Sequence, residues 1–342
     1  MPDLVLSVLD QSPIRRGGTP AEAIAETLEL AQLCDTLGYH RYWLAEHHAA
    51  GSLASASPEV LIPRVASLTR QIRVGSGGVM LTHYSPLKVA EQFRMLETLF
   101  PGRIDLGIGR APGSDTRTAA ALGRGRGLPD VDRYPEQLAE LEGFLTGTFP
   151  PGHPYRGIVA QPAGPRAPEL WLLGSTTVSA QLAAERGWAF CFAQFISAEG
   201  PHDVLRRYTE AFQPSPWLPQ PRSALAVAAT CAETDEEAEV LAWSRWASRV
   251  ISRARPGEPP GVPSPRDAMA FDYTEAELDY LAYLRETSIY GSPGTVGAKL
   301  RELASAYGTD ELVIVTITFE FAARKRSYEL LAAEFGLAPL PG

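Results

Sequence analysis

The sequence predicts an α/β protein that folds as a closed (β/α)₈ TIM barrel. Short apolar runs of strand length alternate with amphipathic stretches of helix length along the whole chain. Eight such runs are present, and this alternation is typical of parallel strands joined by right-handed crossovers. The 342 residues exceed the roughly 250 that a plain barrel needs, and the surplus falls in loops rich in proline and glycine.

The eight predicted strands are spread over the entire length of the chain. They cover Leu4 to Leu9, 41–45, 72–81, 104–109, 170–174, 188–193, 224–231 and 311–318. Between the first two, Thr19, Pro20 and Glu22 form a capping box with proline at the first helical position, which predicts a helix from Pro20 to Leu37. Gly38 is expected to end that helix.

The next two helices are signalled by serine followed by proline. Ser57-Pro58 and Ser85-Pro86 each open an amphipathic stretch, one ending near Arg70 and the other near Phe100. We expect one domain over residues 1–342, with insertions at about 111–134, 150–169 and 255–290 in the loops at the carboxyl ends of the strands. Inside the third insertion, a capping box of Thr274 and Glu277 predicts a helix over about 275–285.

Composition restricts the classes of function. A formal net charge of −9 without a basic face argues against nucleic acid or an anionic membrane as the main partner. No apolar run approaches the ~18 residues of a membrane span. Cys34, Cys191 and Cys231 are odd in number and far apart, so neither a disulfide framework nor a metal knuckle is expected. These features predict a cytoplasmic enzyme that acts on small molecules.

Glu46, His47 and His48 directly follow the predicted strand at 41–45. A parallel barrel keeps its catalytic groups at the carboxyl ends of its strands, so this is the best candidate for an active site. An imidazole near its free pKa suits acid–base steps. Adjacent residues of an extended chain point to opposite sides, so the three side chains are not expected to bind one metal ion. The alternative is a histidine that packs under the loop and donates to a backbone carbonyl.

A second feature lies between the predicted strand at 170–174 and the helix Val178 to Arg186. Here Gly174, Ser175 and Thr176 place hydroxyls and free amides at a helix start, which favours an anion. The alternative is simple capping of the helix by Ser175 or Thr176.

Three segments carry a resemblance to a known family. They read Ser-Val-Leu-Asp-Gln-Ser-Pro from Ser7, Trp-Leu-Ala-Glu-His-His from Trp43, and Pro-Gly-Arg-Ile-Asp-Leu-Gly-Ile-Gly-Arg-Ala-Pro-Gly from Pro101. Two further segments read Gly-Ser-Thr-Thr from Gly174 and Gly-Ser-Pro-Gly-Thr-Val from Gly291. With these five segments the chain resembles the bacterial luciferase-like family of flavin-dependent monooxygenases. The resemblance extends over nearly the full length.

The resemblance implies a (β/α)₈ barrel, a cofactor and a reaction. Family members usually take reduced FMN from a separate flavin reductase and use dioxygen to form a 4a-hydroperoxyflavin, which oxygenates a small organic substrate. Some relatives use a deazaflavin instead, and family habit suggests a homodimer. The luciferases often carry cysteine where this chain has Gly109, and this departure argues against light emission.

The resemblance also assigns roles to residues. It makes His47, with Glu46, the catalytic pair, and it implies a cis peptide bond between Gly77 and Gly78 against the flavin. Gly75, Gly77 and Gly78 lie inside a predicted strand, where glycine suggests the close approach of a ligand or, alternatively, tight barrel packing. The implied cofactor-binding residues are Gly77, Gly78, Met80, Gly109, Arg110, Gly174, Ser175 and Thr176.

The phosphate side of the implied site departs from the family pattern. Arg110 matches the family's first phosphate arginine and can pair with two oxygens. The second family arginine falls on Glu136, and Arg133, one turn earlier, is the candidate to substitute for it.

Polar and aromatic residues at other strand ends are expected to line the substrate cavity. They are Asp10, Gln11, Tyr84, Phe192, Gln194 and Phe195. Three other functions remain open on the sequence alone. They are a deazaflavin-dependent dehydrogenase on the same fold, a barrel that stores flavin without turnover, and an unrelated metal-dependent barrel hydrolase.

Overall fold

The computed structural model describes residues 4–111, 113, 115–123, 133–197, 202–255 and 260–339. The strands are β1 (Val5–Asp10), β2 (Arg41–Leu44), β3 (Arg73–Met80), β4 (Ile104–Gly109), β5 (Glu169–Gly174), β6 (Ala189–Ala193), β7 (Ser223–Cys231), β8 (Ile289–Gly291) and β9 (Glu311–Val315). Parts of two expected insertions, 124–132 and 256–259, lie outside these ranges.

Most of the described helices follow the strands in alternation. They are α1 (Pro20–Leu37), α2 (Pro58–Leu68), α3 (Pro86–Leu99), α4 (Thr116–Gly123), α5 (Tyr134–Thr146), α6 (Thr177–Arg186), α7 (Val204–Ala211), α8 (Asp235–Ala254), α9 (Pro265–Met269), α10 (Glu275–Thr287), α11 (Pro293–Tyr307) and α12 (Phe321–Glu334). A short 3₁₀ turn covers Leu81–His83. In the described part of the chain no helix has the length and apolar character needed to cross a membrane.

Eight parallel strands close into a barrel, which confirms the predicted fold class. The order around the ring is β6, β5, β4, β3, β2, β1, β9 and β7, and pairing of β6 with β7 closes it. All eight strands predicted from the sequence are present. The short β8 was not predicted, and it pairs in parallel with the last residues of β7, beyond the ring.

Alternate side chains of each barrel strand enter two different apolar layers. Leu9, Trp43 and Trp171 belong to the cluster that fills the barrel interior. Val8 and Tyr42, each one residue earlier on its strand, belong to the larger cluster between the strands and the surrounding helices. Because both faces of every strand are buried, the strands read as continuous apolar runs in the sequence.

The helix starts agree with the sequence signals. Thr19 accepts a hydrogen bond from the backbone of Glu22, and the Glu22 carboxylate accepts one from the backbone of Thr19, so the capping box is confirmed. Gly38 ends α1 in the left-handed conformation, with φ of 88°. The second capping box, Thr274 with Glu277, is also formed at the start of α10. By contrast, the Ser57 and Ser85 side chains make no capping hydrogen bond.

The third insertion is larger than expected because α8 belongs to it as well. α8, α9 and α10 pack on each other through two small apolar clusters of their own. The segment after α8 joins the loop that follows β1, since the backbone N–H of Arg16 donates to the carbonyl of Val262 and that of Val262 donates to Ile14, both at 2.8 Å. We call residues 232–288 the mouth insertion, because the loop that it contacts lies at the carboxyl end of the barrel.

The opposite, amino-terminal end of the barrel holds a buried charge network. Arg41 pairs with Asp105 and Glu169 at 2.9 Å and with Glu311 at 2.8 Å. A cavity of about 1360 Å³ opens beside this network and is lined by residues that include Arg41, Glu169 and Arg222. Residues at this end of a barrel usually serve stability, and the paired charges agree with that role.

Candidate active site

Glu46 is the hub of a hydrogen-bonded network at the carboxyl end of β2. Its side chain is fully buried, and one carboxylate oxygen accepts from the Tyr84 hydroxyl and contacts Nε2 of His48, both at 2.6 Å. The other oxygen accepts from the backbone N–H of Met80 at 3.0 Å. Glu46 therefore ties the end of β2 to the end of β3 and places His48 and Tyr84 beside each other.

His47 lies between Glu46 and His48 in sequence but takes no part in that network within the described residues. Its backbone N–H donates to the carbonyl of Ser55 at 2.9 Å, which fixes the main chain. Its Nδ1 is buried and has no hydrogen-bond partner in the described part of the chain. Burial, aided by the charge of His48, lowers the pKa of the His47 imidazole below its usual value. A neutral imidazole with an unused buried nitrogen is available to hold or move a proton.

The peptide bond between Gly77 and Gly78 is cis, as the resemblance implies. It lies in β3 at a register shift against β4, between Ser76 and Val79. A Cβ atom at Gly75 would lie 2.4 Å from the Asp105 carbonyl oxygen, and one at Gly77 would lie 2.5 Å from the Leu9 side chain. The barrel's own packing thus accounts for these glycines without a ligand, so contact of Gly77 and Gly78 with a flavin stays a prediction.

The ends of β4 and β5 bring the predicted anion-binding residues together. Gly109 pairs with Leu173, so Arg110 and Gly174 leave the barrel side by side. Neighbouring strands lie about 4.8 Å apart. Gly109 also pairs with Met80 of β3, so four of the expected cofactor residues, Met80, Gly109, Arg110 and Gly174, lie along one edge.

The hydrogen bonds at the start of α6 show which hydroxyl of the Gly-Ser-Thr segment caps the helix and which is left for an anion. Thr176 is the N-cap, and its hydroxyl accepts from the backbone N–H of Ser179 at 3.4 Å. Ser175 is partly buried and is not used as the cap. Capping therefore explains Thr176, whereas the Ser175 hydroxyl and the amides of the first turn remain suited to an anion.

Tyr134 is a residue that the sequence analysis missed. Its hydroxyl is buried without a hydrogen-bond partner in the described ranges. Burial raises the pKa of Tyr134, while the positive charges of Arg110 and Arg186 act in the opposite direction. Arg133, the suggested second phosphate arginine, is mostly exposed and pairs with Glu136 at 3.2 Å. Tyr134, one residue later, is close enough to Arg110 for the charge of the arginine to act on its pKa, and no motif in the sequence marks it.

Two expected substrate contacts are wrong. Asp10 is fully buried and faces the helices, where its carboxylate accepts from Arg324 at 2.6 Å and from the Tyr42 hydroxyl at 2.5 Å. Phe192 is likewise buried on the helix side, with its ring 5.8 Å from that of Tyr307. Each side chain lies on the outer side of its strand, so neither lines a cavity inside the mouth.

The other expected substrate contacts are compatible with the mouth. Tyr84 is partly buried and bonds to Glu46, and Gln194 is partly buried just beyond β6. Phe195 packs against the barrel-interior cluster. Within the described ranges no group of three or more histidine, cysteine, aspartate or glutamate side chains has the arrangement of a metal site.

These residues fit a flavin mononucleotide. Such a ligand needs positive charge and hydroxyls for its phosphate, which Arg110, Ser175 and the start of α6 offer together. It also needs polar groups near its ring system, and the buried Nδ1 of His47 is such a group without a partner in the described part of the chain. The hydroxyl of Tyr134, on the side of Arg110, is a second buried polar atom without a partner there. Buried polar atoms of this kind normally have a partner, so each calls for a ligand or a water.

Comparison with known proteins agrees with this geometry. The family model described as luciferase-like monooxygenase matches residues 5–310. A luciferase-like monooxygenase of Escherichia coli (strain K12) is 38% identical over 329 residues, which covers 96% of each chain. The N-acetyl-S-alkylcysteine monooxygenase of Bacillus subtilis (strain 168) is 39% identical over 330 residues, covering 96% of this chain and 97% of the relative.

A solved structure is similar over the same length. The crystal structure of apo-MsnO8 superposes with a TM-score of 0.89 at 38% identity, covering 98% of this chain and 100% of the other. Two more distant solved structures of the same fold, 22% and 13% identical to this chain, contain FMN and an F420 adduct respectively. The chain therefore belongs to the luciferase-like monooxygenase family and is a flavin-dependent oxidoreductase.

Proposed function

We propose that this protein is an FMN-dependent monooxygenase that oxygenates a small organic substrate with dioxygen. The observation that carries the proposal is the buried Nδ1 of His47 at the carboxyl end of β2, which has no partner among the described residues. Reduced FMN, when bound, supplies the two electrons with which one oxygen atom of dioxygen goes to the substrate and the other to water. Family habit adds a separate reductase and a homodimer to the proposal.

Different residues of the chain would have different roles in this reaction. Arg110, Ser175 and the first turn of α6 would bind the phosphate, with Tyr134 beside Arg110. Glu46 orients Tyr84 and His48, and it holds the end of β3 through Met80. His47, neutral because burial lowers its pKa, would hold or move a proton at Nδ1. The mouth insertion would exclude water from the site.

The similar proteins favour a dioxygen-dependent monooxygenase over a deazaflavin-dependent dehydrogenase. The monooxygenases compared above are 38% and 39% identical to this chain over almost all of it. Solved F420-dependent enzymes of the same fold are only 13% and 15% identical, which supports the shared fold alone. N-acetyl-S-alkylcysteines, the substrates named for the Bacillus relative, are the first compounds to test.

The test uses the protein loaded with reduced FMN without oxygen, then mixed with ¹⁸O₂ and a panel of N-acetyl-S-alkylcysteines. We expect oxidation of the bound flavin to depend on dioxygen and one ¹⁸O atom to appear in the organic product by mass spectrometry. Hydride exchange between F420 and an alcohol without any need for dioxygen would instead identify a dehydrogenase. Tight FMN binding without turnover in either assay would identify a storage protein.

A further inference from the structure

Two arginines of the mouth insertion lie one turn apart on α8 without a carboxylate partner among the described residues. Arg245 and Arg249 are both partly buried. Arg249 donates from Nη1 to the carbonyl of Phe195 at 3.2 Å. The Nε of Arg245 is buried and no residue in the described ranges accepts a hydrogen bond from it. Burial first, and then the like charge of Arg249, lower the pKa of Arg245 to about 9, and Tyr280 acts in the opposite direction.

This arrangement is unfavourable in isolation. Like charges four residues apart on a helix repel each other. A buried cation without a counter-charge costs more still, because burial removes its hydration without supplying an anion. Arginine side chains stay protonated at neutral pH, so the two guanidinium groups are both positively charged. An anionic ligand between them would remove the penalty.

The other arginines of the same insertion show that partners are available in this region. Arg255 pairs with Glu277 at 2.7 Å, and Arg285 pairs with Glu239 at 2.6 Å. Arg253, one turn beyond Arg249, is exposed and stacks over the Tyr280 ring at 5.0 Å. Among the described arginines of the insertion, Arg245 and Arg249 are therefore the two that are partly buried and have no carboxylate partner.

The pair also lies at the carboxyl side of the barrel. Arg249 contacts Phe195, which follows β6 and packs against the barrel-interior cluster. The backbone N–H of Phe195 donates to the carbonyl of Ala226 on β7, so its position is fixed by the barrel itself. Arg249 is therefore tied to the residue that follows β6, at the same end of the barrel as His47.

We propose that Arg245 and Arg249 are the anion-binding part of the substrate pocket and that the substrate is an organic acid whose carboxylate they bind. Resting on the proposed function, this inference specifies the substrate class of that same site. Guanidinium groups match a carboxylate with two parallel hydrogen bonds, which fixes orientation as well as charge. The acid end would be anchored at α8, leaving the remainder of the molecule in the mouth for oxidation.

The test compares acids with their uncharged counterparts. The dissociation constants of benzoate and N-acetyl-S-benzylcysteine, and of the primary amide of each, are measured by calorimetry with the FMN-loaded protein and with the apoprotein at constant ionic strength. We expect each acid to bind about tenfold or more tightly than its amide, as a charge-assisted hydrogen bond implies. Acids that bind no better than their amides would overturn the proposal.

Variants separate recognition from folding. Arg245→Gln and Arg249→Gln should each abolish the preference for the acid, whereas Arg253→Gln on the same helix should keep it. Without ligand, Arg245→Gln should not lower the Tm, since it removes an uncompensated buried charge. A lower Tm with the acid preference retained would show a structural role and contradict the proposal.

FMN affinity distinguishes this inference from the proposed function. All three variants should bind FMN as the wild type does. Weaker FMN binding in Arg245→Gln would assign the pair to the cofactor phosphate and refute the substrate assignment. If the wild type binds no FMN, the proposed function fails, while the acid preference of the apoprotein still decides the present inference.

Discussion

At the scale of single residues, the two adjacent histidines have different environments. His48 contacts the buried Glu46 carboxylate at 2.6 Å, so its ring is held by a neighbouring charge. His47 has a buried Nδ1 without a partner in the described ranges, and burial lowers its pKa. The same dipeptide therefore supplies one positioning group and one group whose nitrogen is available for chemistry.

His47→Gln should lower turnover by roughly 10²-fold or more, the usual scale for a general acid–base group, with an unchanged Tm. His48→Gln should reduce turnover less but lower the Tm, because it removes one of the three groups that contact the buried Glu46 carboxylate. Steady-state kinetics and thermal unfolding of the two variants provide the check. Similar losses of both turnover and Tm in the two variants would indicate a structural pair.

The pH dependence of turnover follows from the direction of the His47 pKa shift. A lowered pKa keeps the imidazole neutral to a pH below its ordinary value of 6.5. If the neutral form is the active base, turnover should fall only below pH 6.5, and His47→Gln should remove that acidic limb. A limb centred clearly above pH 6.5, or one that persists in His47→Gln, would assign the titration to another group.

At the scale of secondary-structure elements, Asp10 joins β1 to three neighbours. Its carboxylate accepts from Arg324 on α12 and Tyr42 on β2, and from the backbone N–H of Ser12 at 2.7 Å. Ser12 has a positive φ of 49°, and its carbonyl accepts from the backbone N–H of Ala54 at 2.9 Å. Ser55, the next residue, accepts from the backbone of His47. A buried ion pair between outer elements thereby supports the loop that carries the candidate base.

Asp10→Asn should reduce the free energy of unfolding by about 3–5 kcal/mol, since it leaves Arg324 buried without its counter-charge. Asp279→Asn, an exposed control, should change it by no more than about 0.5 kcal/mol.

Burial opposes ionisation of Asp10, but Arg324 and the hydrogen bonds from Tyr42 and Ser12 hold its pKa below the ordinary 3.8. The contribution is therefore complete above pH 3.8 and is lost as the pH falls through the lower folded pKa. Denaturant unfolding of both variants between about pH 3 and pH 7 provides the measurement, and equal stability of Asp10→Asn and wild type at neutral pH would contradict this role.

At the scale of the whole molecule, the two ends of the barrel differ in their charges. At the amino-terminal end, Arg41 and Arg73 are paired with Asp105 and Glu169. At the carboxyl end, His47 and Tyr134 carry buried polar atoms without partners in the described residues. The cavity of about 1360 Å³ lies at the amino-terminal end, although the candidate chemistry lies at the other.

The sequence predicted the architecture because strand and helix signals are local. The capping residues Thr19 and Thr274 and the proline positions mark helix starts within a few residues. The expectation that the side chains of Asp10 and Phe192 point into the mouth was wrong. Both faces of a barrel strand are apolar, so periodicity does not show which face is inside. The three residues of β8 are too few for any periodic signal.

Part of the site depends on contacts that no local pattern contains. The spacing of Arg245, Arg249 and Arg253 at every fourth residue is visible in the sequence. Their surroundings depend on how α8 packs and cannot be read from the spacing. In the folded chain Arg245 and Arg249 have no carboxylate partner among the described residues, whereas Arg253 stacks on Tyr280. The nearness of Tyr134 to Arg110 likewise arises from the folded chain across the first insertion.

The most direct test of where the flavin binds is a titration that compares FMN with riboflavin, in the wild type and in two arginine variants. We expect FMN to bind about tenfold or more tightly than riboflavin, because each charge-assisted hydrogen bond to the phosphate contributes about 1.5–3 kcal/mol. Arg110→Met, at the carboxyl end, should remove most of that difference. Arg222→Met, at the cavity of the amino-terminal end, should leave it unchanged. Equal affinity for the two flavins, or a loss caused only by Arg222→Met, would contradict the placement of the flavin at the carboxyl mouth.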